Sequence, residues 1–235
     1  VGITGTNGKT TTVTLLHSLF GMLGFKAGLL STIVNKIGNE TIAATHTTPD
    51  AIQLNALLNQ MVESGCEYCF MEVSSHSVVQ HRIAGLQFAG GIFSNITHDH
   101  LDYHKTFAEY ISAKKRFFDG LPDTAFALTN IDDKNGSVML QNTKAAKYTY
   151  SLQSMADFKG KVIELPLDGI FMEFNGTETW CRLVGLFNAY NLLATYSTAV
   201  LLGIDPMEVL IKLSSIESVE GRFDYVKSAD EIIGI

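Results

Sequence analysis

Val1-Gly2-Ile3-Thr4-Gly5-Thr6-Asn7-Gly8-Lys9-Thr10-Thr11-Thr12 combines residue types that together handle phosphate. Gly5 and Gly8 reach backbone angles that let successive N–H groups point at one anion, and a helix beginning there adds partial positive charge. Lys9 brings a mobile cation to the outer phosphates, and the Thr10 hydroxyl is placed to ligate magnesium. The usual phosphate-loop pattern has a glycine five residues ahead of its Gly-Lys pair. Here that position is Ile3.

Two further stretches carry chemistry. Glu72 stands near the end of the apolar run Tyr68-Cys-Phe-Met-Glu-Val73, where phosphate-loop enzymes place a metal-binding carboxylate. A carboxylate buried there calls for a cation nearby. Thr97-His98-Asp99-His100-Leu101-Asp102-Tyr103-His104 packs three histidines and two aspartates into eight residues, a density that suits a metal. It departs from the His-x-His-x-Asp-His run of metallo-β-lactamase-like hydrolases, because Tyr103 stands where the last histidine belongs. With a phosphate loop upstream, the expected metal is magnesium, with one histidine assisting. Thr129-Asn130-Ile131-Asp132 invites comparison with the guanine-reading Asn/Thr-Lys-x-Asp, but position 130 lacks the lysine.

These residues need a scaffold, and the pattern supplies one. A helix follows the loop over residues 13–23, then a strand over 27–33 and a hairpin over 35–44 turning at Gly38-Asn39. Ile52, Leu54, Leu57, Leu58, Met61 and Val62 have helical spacing up to Gly65. Strands are expected at 68–73, 90–96, 124–129 and 147–150, with a helix over 107–118 and Ser74-Ser75-His76 as a loop. Short alternating runs over 158–183, turning at Asp168-Gly169 and Asn175-Gly176, predict a smaller antiparallel β subregion. Helices over 188–202 and 206–214 complete the pattern. The alternation defines an α/β fold, a doubly wound, mainly parallel sheet whose polar loops lie at the strands' C-terminal edge.

Composition narrows the partners. Of 235 residues 46% are hydrophobic, enough for a large core, and only four are proline. The formal charge of −7 offers no polybasic surface, which argues against a nucleic-acid partner. Three cysteines fit a reducing cytoplasm, and Cys66-Glu-Tyr-Cys69 reads as a pair of strand thiols rather than a metal knuckle. No apolar run is long enough to span a bilayer. Nothing indicates a protein partner.

Taken in order, Gly5-Thr6-Asn7-Gly8-Lys9-Thr10, Thr47-Thr48-Pro49, Met71-Glu72-Val73-Ser74-Ser75-His76 and the run from Asn95 to His104 resemble the Mur ligase family over nearly the whole chain. They are closest to the branch that adds a diamino acid to UDP-MurNAc-L-Ala-D-Glu in peptidoglycan synthesis. The resemblance explains the missing early glycine. It implies that Gly5, Thr6, Asn7, Gly8, Lys9, Thr10 and Thr11 hold ATP, with Asn188 and Asn191 on the adenine side and Asp132 at the ribose. It further implies Mg2+ on Thr10, Glu72, His100 and a carbamylated Lys114, the last chosen over adjacent Lys115. On the same resemblance Lys9, Glu72, His100 and Lys114 would form the catalytic group. Thr47, Thr48, Ser74, Gln80 and Arg82 match positions that hold the muramoyl peptide, while His46 replaces the asparagine common before the Thr-Thr pair.

The implied reaction transfers ATP's γ-phosphoryl group to the D-glutamate side chain and lets an amine displace phosphate. Residues 1–220 would be the central ATP-binding domain, and 221–235 a linker into a C-terminal domain that is not in this chain. On that reading the piece alone keeps the fold and not ligase turnover. Rival readings are another Mur ligase or a folylpolyglutamate synthase-like ligase, a nucleotide-holding module without catalysis, and a zinc hydrolase.

Overall fold

The computed structural model describes residues 1–44, 46–97 and 106–216, and the backbone of 226–227 and 233–234. In chain order, β1 (Gly2–Thr4) passes through the glycine loop into α1 (Lys9–Met22), followed by β2 (Ala27–Leu30), β3 (Val34–Ile37) and β4 (Glu40–Ala43). Then come α2 (Ala51–Glu63), β5 (Tyr68–Glu72), α3 (Ser75–Val79), β6 (Gly90–Phe93), α4 (Phe107–Asp119), β7 (Phe126–Asn130) and α5 (Gly136–Met139). The chain continues through β8 (Ala146–Ser151), β9 (Phe158–Glu164), β10 (Ile170–Phe174), β11 (Thr177–Cys181), α6 (Leu186–Leu201) and α7 (Pro206–Leu213). A short antiparallel pair, β12 (Val226–Lys227) and β13 (Ile233–Gly234), ends the described backbone.

One sheet orders its strands β11-β10-β9-β8-β7-β6-β1-β5-β2-β3-β4. Its centre is parallel: β1 pairs with both β5 and β6, bringing Ile3 opposite Glu72 and Thr4 opposite Phe93. From β1 the chain winds toward β2 on one side and later toward β7 and β8 on the other. The crevice at the C-terminal ends of β1, β5 and β6 is therefore a topological switch point. The phosphate loop, Glu72 and the exit from β6 all open there.

Both faces of the sheet are covered. On one face α1, α6 and α7 bury Leu15, Leu16, Leu19, Leu192, Leu193 and Val209, and on the other α2 and α4 bury Leu54, Met61, Tyr110 and Phe117. The central strands read as continuous apolar runs for this reason. Asp50 caps α2 through the Ile52 and Gln53 amides, and Asp205 caps α7 through those of Met207 and Glu208.

The expected antiparallel subregion is present, and three other expectations are corrected. Strands β9 to β11 form the antiparallel part, joined to the main sheet by the parallel pairing of β9 with β8. That overlap is short, Tyr150 against Phe158 and Ser151 against Lys159, so β9 continues onward from β8 and needs no helical crossover. Residues 74–76 are not a loop. Ser74 accepts from the Ser77 amide and caps α3, which packs a helical turn directly after β5. The strand expected to reach residue 33 stops at Leu30, because Ser31 binds the Val34 carbonyl and amide and turns the chain into the hairpin. Helix α6 starts two residues before Asn188, so Asn188 is a first-turn residue and not the cap. Its side-chain amide donates back to the Val184 carbonyl.

The cysteines are free thiols: Cys69 lies in β5, Cys66 just before it, and Cys181 at the end of β11. Cys181 is fully buried opposite Ile170, and burial pushes its thiol up to about 12. In the unfolded chain a thiol titrates near pH ~8.5. Above that value the unfolded state releases a proton that the folded state keeps, so stability falls as pH rises. We expect the unfolding free energy from urea titrations to decline between about pH 8.5 and 12, with a shallower decline in Cys181→Ala. Equal slopes for the two proteins would refute the assignment to Cys181.

Candidate functional site

The loop between β1 and α1 is shaped by two close approaches. Gly8, the N-cap of α1, has φ 85°, and a Cβ there would sit 2.4 Å from the Asn191 side-chain oxygen. A Cβ on Gly5 would fall 2.0 Å from Ser94 Oγ. Only glycine lets the loop lie against α6 on one side and the β6 exit on the other. The first bond within α1 is Thr12 N–H to the Gly8 carbonyl, at 2.9 Å. The amides of Thr10 and Thr11 precede it and have no carbonyl of their own helix to bond, the condition for anion binding at a helix N-terminus.

The segment leaving β6 fastens the loop from outside. Thr6 and Asn7 donate their amides to the Asn95 carbonyl (2.8 Å) and side chain (3.0 Å). Ser94 Oγ donates to the Asn7 carbonyl at 2.6 Å, and Thr97 N–H to Thr6 Oγ1 at 3.0 Å. Those bonds explain why Asn95 stands in the motif, a role the sequence did not reveal. Two cations converge on one carbonyl inside the loop. Lys9 Nζ lies 3.0 Å from Gly5 O and 2.7 Å from Thr6 O, and Lys114 Nζ lies 2.8 Å from Gly5 O. Lys114 is 1% exposed and sits 4.5 Å over the Tyr110 ring. Both basic side chains thus reach the same point of the loop.

Glu72 forms the opposite wall. It is 1% exposed, and among the described residues no cationic side chain pairs with its carboxylate. Its Oε1 accepts from Thr10 Oγ1 and from the Thr32 amide, both at 2.8 Å, and its Oε2 from Thr32 Oγ1 at 3.1 Å. The Thr10 hydroxyl and the Glu72 carboxylate thus meet as adjacent hard oxygen donors beside the phosphate loop. That donor set fits magnesium and does not resemble a soft-metal site. His100 and the rest of the histidine run fall in residues 98–105, outside the described residues.

Thr47, Thr48, Ser74 and Arg82 line the same cavity, about 490 Å³, together with Gly5 to Thr11, Glu72 and Lys114. Thr48 Oγ1 donates to the Glu72 carbonyl at 2.8 Å, and Arg82 Nη1 to the Thr48 carbonyl at 2.7 Å. Gln80 is not at the wall. Its side-chain oxygen accepts from Arg82 Nε at 2.8 Å and orients the guanidinium from behind.

Three predicted nucleotide residues are likewise placed elsewhere. Asn188 and Asn191 are buried behind the loop and joined by a 2.9 Å bond. Asp132 clasps β8 to α6: its carboxylate accepts from Ser151 Oγ, the Leu152 and Gln153 amides and Tyr190 Oη. In this geometry Asp132 is a brace and not part of the cavity wall. Sequence reasoning passed over Thr32, His46, Ser75, His76 and Tyr110 as site residues, all of which line the cavity. For Thr32 a signal existed, since it is polar and follows an apolar strand on the same sheet edge as Glu72.

The fold and site define an α/β domain whose glycine loop opens at a helix N-terminus into a polar cavity. The chain belongs to the Mur ligase family: the pattern of the Mur ligase middle domain matches residues 3–199. It is 66% identical over 232 residues to a UDP-N-acetylmuramoyl-L-alanyl-D-glutamate--2,6-diaminopimelate ligase of Cytophaga hutchinsonii, covering 99% of this chain and 48% of that protein. The ligase of the same name from Parabacteroides distasonis is 60% identical over 228 residues, 97% of this chain and 47% of the relative. The chain thus spans about half the length of the curated relatives it matches. A solved structure of such a ligase superposes with a TM-score of 0.87 at 28% identity, covering 97% of this chain and 48% of that one. MurF from Acinetobacter baumannii shares the fold, with a TM-score of 0.77 at 17% identity over 97% of this chain and 48% of its own.

The contact between Gly8 and Asn191 is testable as a coupling. Gly8→Ala should destabilise the protein by about 1–3 kcal/mol. Combined with Asn191→Ala, which clears the space, it should cost about 1 kcal/mol less than the sum of the single changes. Strict additivity in urea unfolding would show that the two residues do not press on each other.

Proposed function

We propose that the protein is an ATP-dependent ligase joining a diamino acid to UDP-MurNAc-L-Ala-D-Glu, and that this chain is its ATP-binding core. One observation carries the reading: a phosphate loop, a buried carboxylate and the Thr47–Thr48–Ser74–Arg82 surface share a single cavity. The names of the most similar relatives favour 2,6-diaminopimelate over lysine as the added residue. Residues 1–220 would serve as the central domain, with 221–235 leading into a further domain, and the site of action would be the cytoplasm.

In this reading the amides opening α1 and Lys9 receive the ATP phosphates. Lys9 turns from the Gly5 and Thr6 carbonyls toward the phosphates as they enter. Arg82, oriented by Gln80, grips an anionic group of the muramoyl peptide and brings its D-glutamate carboxylate against the γ-phosphate. Transfer of the γ-phosphoryl group to the carboxylate releases ADP and gives an acyl phosphate; the diamino acid's neutral amine then attacks the acyl carbon, phosphate leaves, and the amine nitrogen gives up a proton to form the amide. Thr10 and Glu72 would hold Mg2+, with His100 and a carbamylated Lys114 as further ligands. Magnesium supplies charge neutralisation between the triphosphate and the incoming carboxylate. Carbamylation would move Lys114 from the cations at Gly5 O to the anionic ligands. Asn188 and Asn191 support the adenine side by holding the loop and α6 together, and Asp132 secures the other end of α6.

The test is phosphate release by the intact protein given ATP, Mg2+ and UDP-MurNAc-L-Ala-D-Glu, with meso-diaminopimelate or lysine in parallel. Release is expected with diaminopimelate, and Glu72→Gln should lower it by about 100-fold with the protein still folded. No release with either amino acid would sink the substrate assignment, and a Glu72→Gln protein of wild-type rate would sink the metal-site assignment.

A further inference from the structure

Thr32 belongs to none of the motifs that mark the site, yet it makes two of the three hydrogen bonds to the Glu72 carboxylate. Its amide reaches Oε1 at 2.8 Å and its hydroxyl Oε2 at 3.1 Å, so the two contacts span both oxygens and fix the plane of the group. The same hydroxyl lies 3.1 Å from Thr47 Oγ1. A hydroxyl has one hydrogen and a carboxylate only accepts, which sets the polarity of this chain. Thr32 Oγ1 is the donor in both contacts, so its one hydrogen is shared between Glu72 Oε2 and Thr47 Oγ1. A ligand that bonds the Thr47 hydroxyl therefore bears on how the Thr32 hydrogen is divided between the two oxygens. Thr48, next in sequence, bonds the Glu72 carbonyl and receives Arg82. Thr32 itself is exposed in the turn that follows β2, so it is not a core residue.

We propose that Thr32 is a positioning residue that aims the Glu72 carboxylate at the metal and couples it, through Thr47, to binding of the muramoyl peptide. The inference rests on the reading of the cavity as an ATP–magnesium and acceptor site. The coupling is a differential effect: a ligand that engages Thr47 alters the hydroxyl chain ending on the metal-binding oxygens.

Binding of a non-hydrolysable ATP analogue to the intact protein, titrated with Mg2+ by calorimetry, tests this. In Thr32→Val the Mg2+ concentration for half-maximal binding should rise about three- to tenfold. Affinity for the analogue without Mg2+ should stay unchanged, and Thr32→Ser should behave as wild type. Saturating UDP-MurNAc-L-Ala-D-Glu should lower the Mg2+ midpoint in wild type and leave it unmoved in Thr32→Val. A Val variant whose midpoint matches wild type, or a Ser variant impaired as much as Val, overturns the positioning role. An acceptor effect of equal size in wild type and Val, or none in wild type, overturns the coupling. If the wild type itself shows no Mg2+-dependent binding, the underlying reading of the cavity falls and Thr32 falls with it, a failure distinguished by appearing before any substitution.

Discussion

A carboxylate that is 1% exposed and has no cationic partner among the described residues is costly, and the organisation of the site follows from how Glu72 is accommodated. Its donors come from separate parts of the chain: Thr10 from the first turn of α1 and Thr32 from the turn after β2. Thr48 bonds its backbone carbonyl. Parallel pairing sets Ile3 opposite Glu72, so the strand feeding the phosphate loop and the strand carrying the carboxylate end side by side. The Glu72 hydrogen bonds therefore tie the register of the central sheet to the geometry of the cavity.

A second feature balances the first. Across the cavity the side chains of Lys9 and Lys114 converge on the Gly5 carbonyl, so basic side chains lie on the loop side and the carboxylate on the β5 side. Such an arrangement, held on rigid elements, is pre-organised for a ligand that carries both an anion and a counter-cation. The loop itself cannot drift, since Asn95 and Ser94 hold it on one flank and Asn191 fills the space beside Gly8 on the other.

Much of this was legible in the residues. Glycines flanking a short polar turn ahead of Lys-Thr marked the cradle, and an apolar run ending in a carboxylate marked β5. Strand and helix alternation gave the doubly wound sheet, and the Gly38-Asn39 turn of the hairpin lies between β3 and β4 as the pattern predicts. Element ends were less legible. The helix expected from residue 188 is capped by Gly185, and Asn188 bonds back to the Val184 carbonyl from inside its first turn. Asp132, which the resemblance puts at the ribose, accepts from four donors of β8, its following turn and α6, a set of contacts that no local pattern announces.

The sequence by itself determined the phosphate cradle, the parallel α/β class and the family, because each is written in short spacings that a contiguous stretch of chain must honour. The tertiary structure alone decided that β9 to β11 extend the main sheet, that Gln80 stands behind Arg82 and that Thr32 bridges Glu72 and Thr47. These are contacts between segments tens of residues apart or between side chains of similar polarity. Their partners are chosen by packing and by hydrogen-bond geometry, which no spacing rule encodes. Glu72 shows the division most clearly: its place at a strand end is local, whereas the donors that aim it come from elements brought together only by the folded sheet.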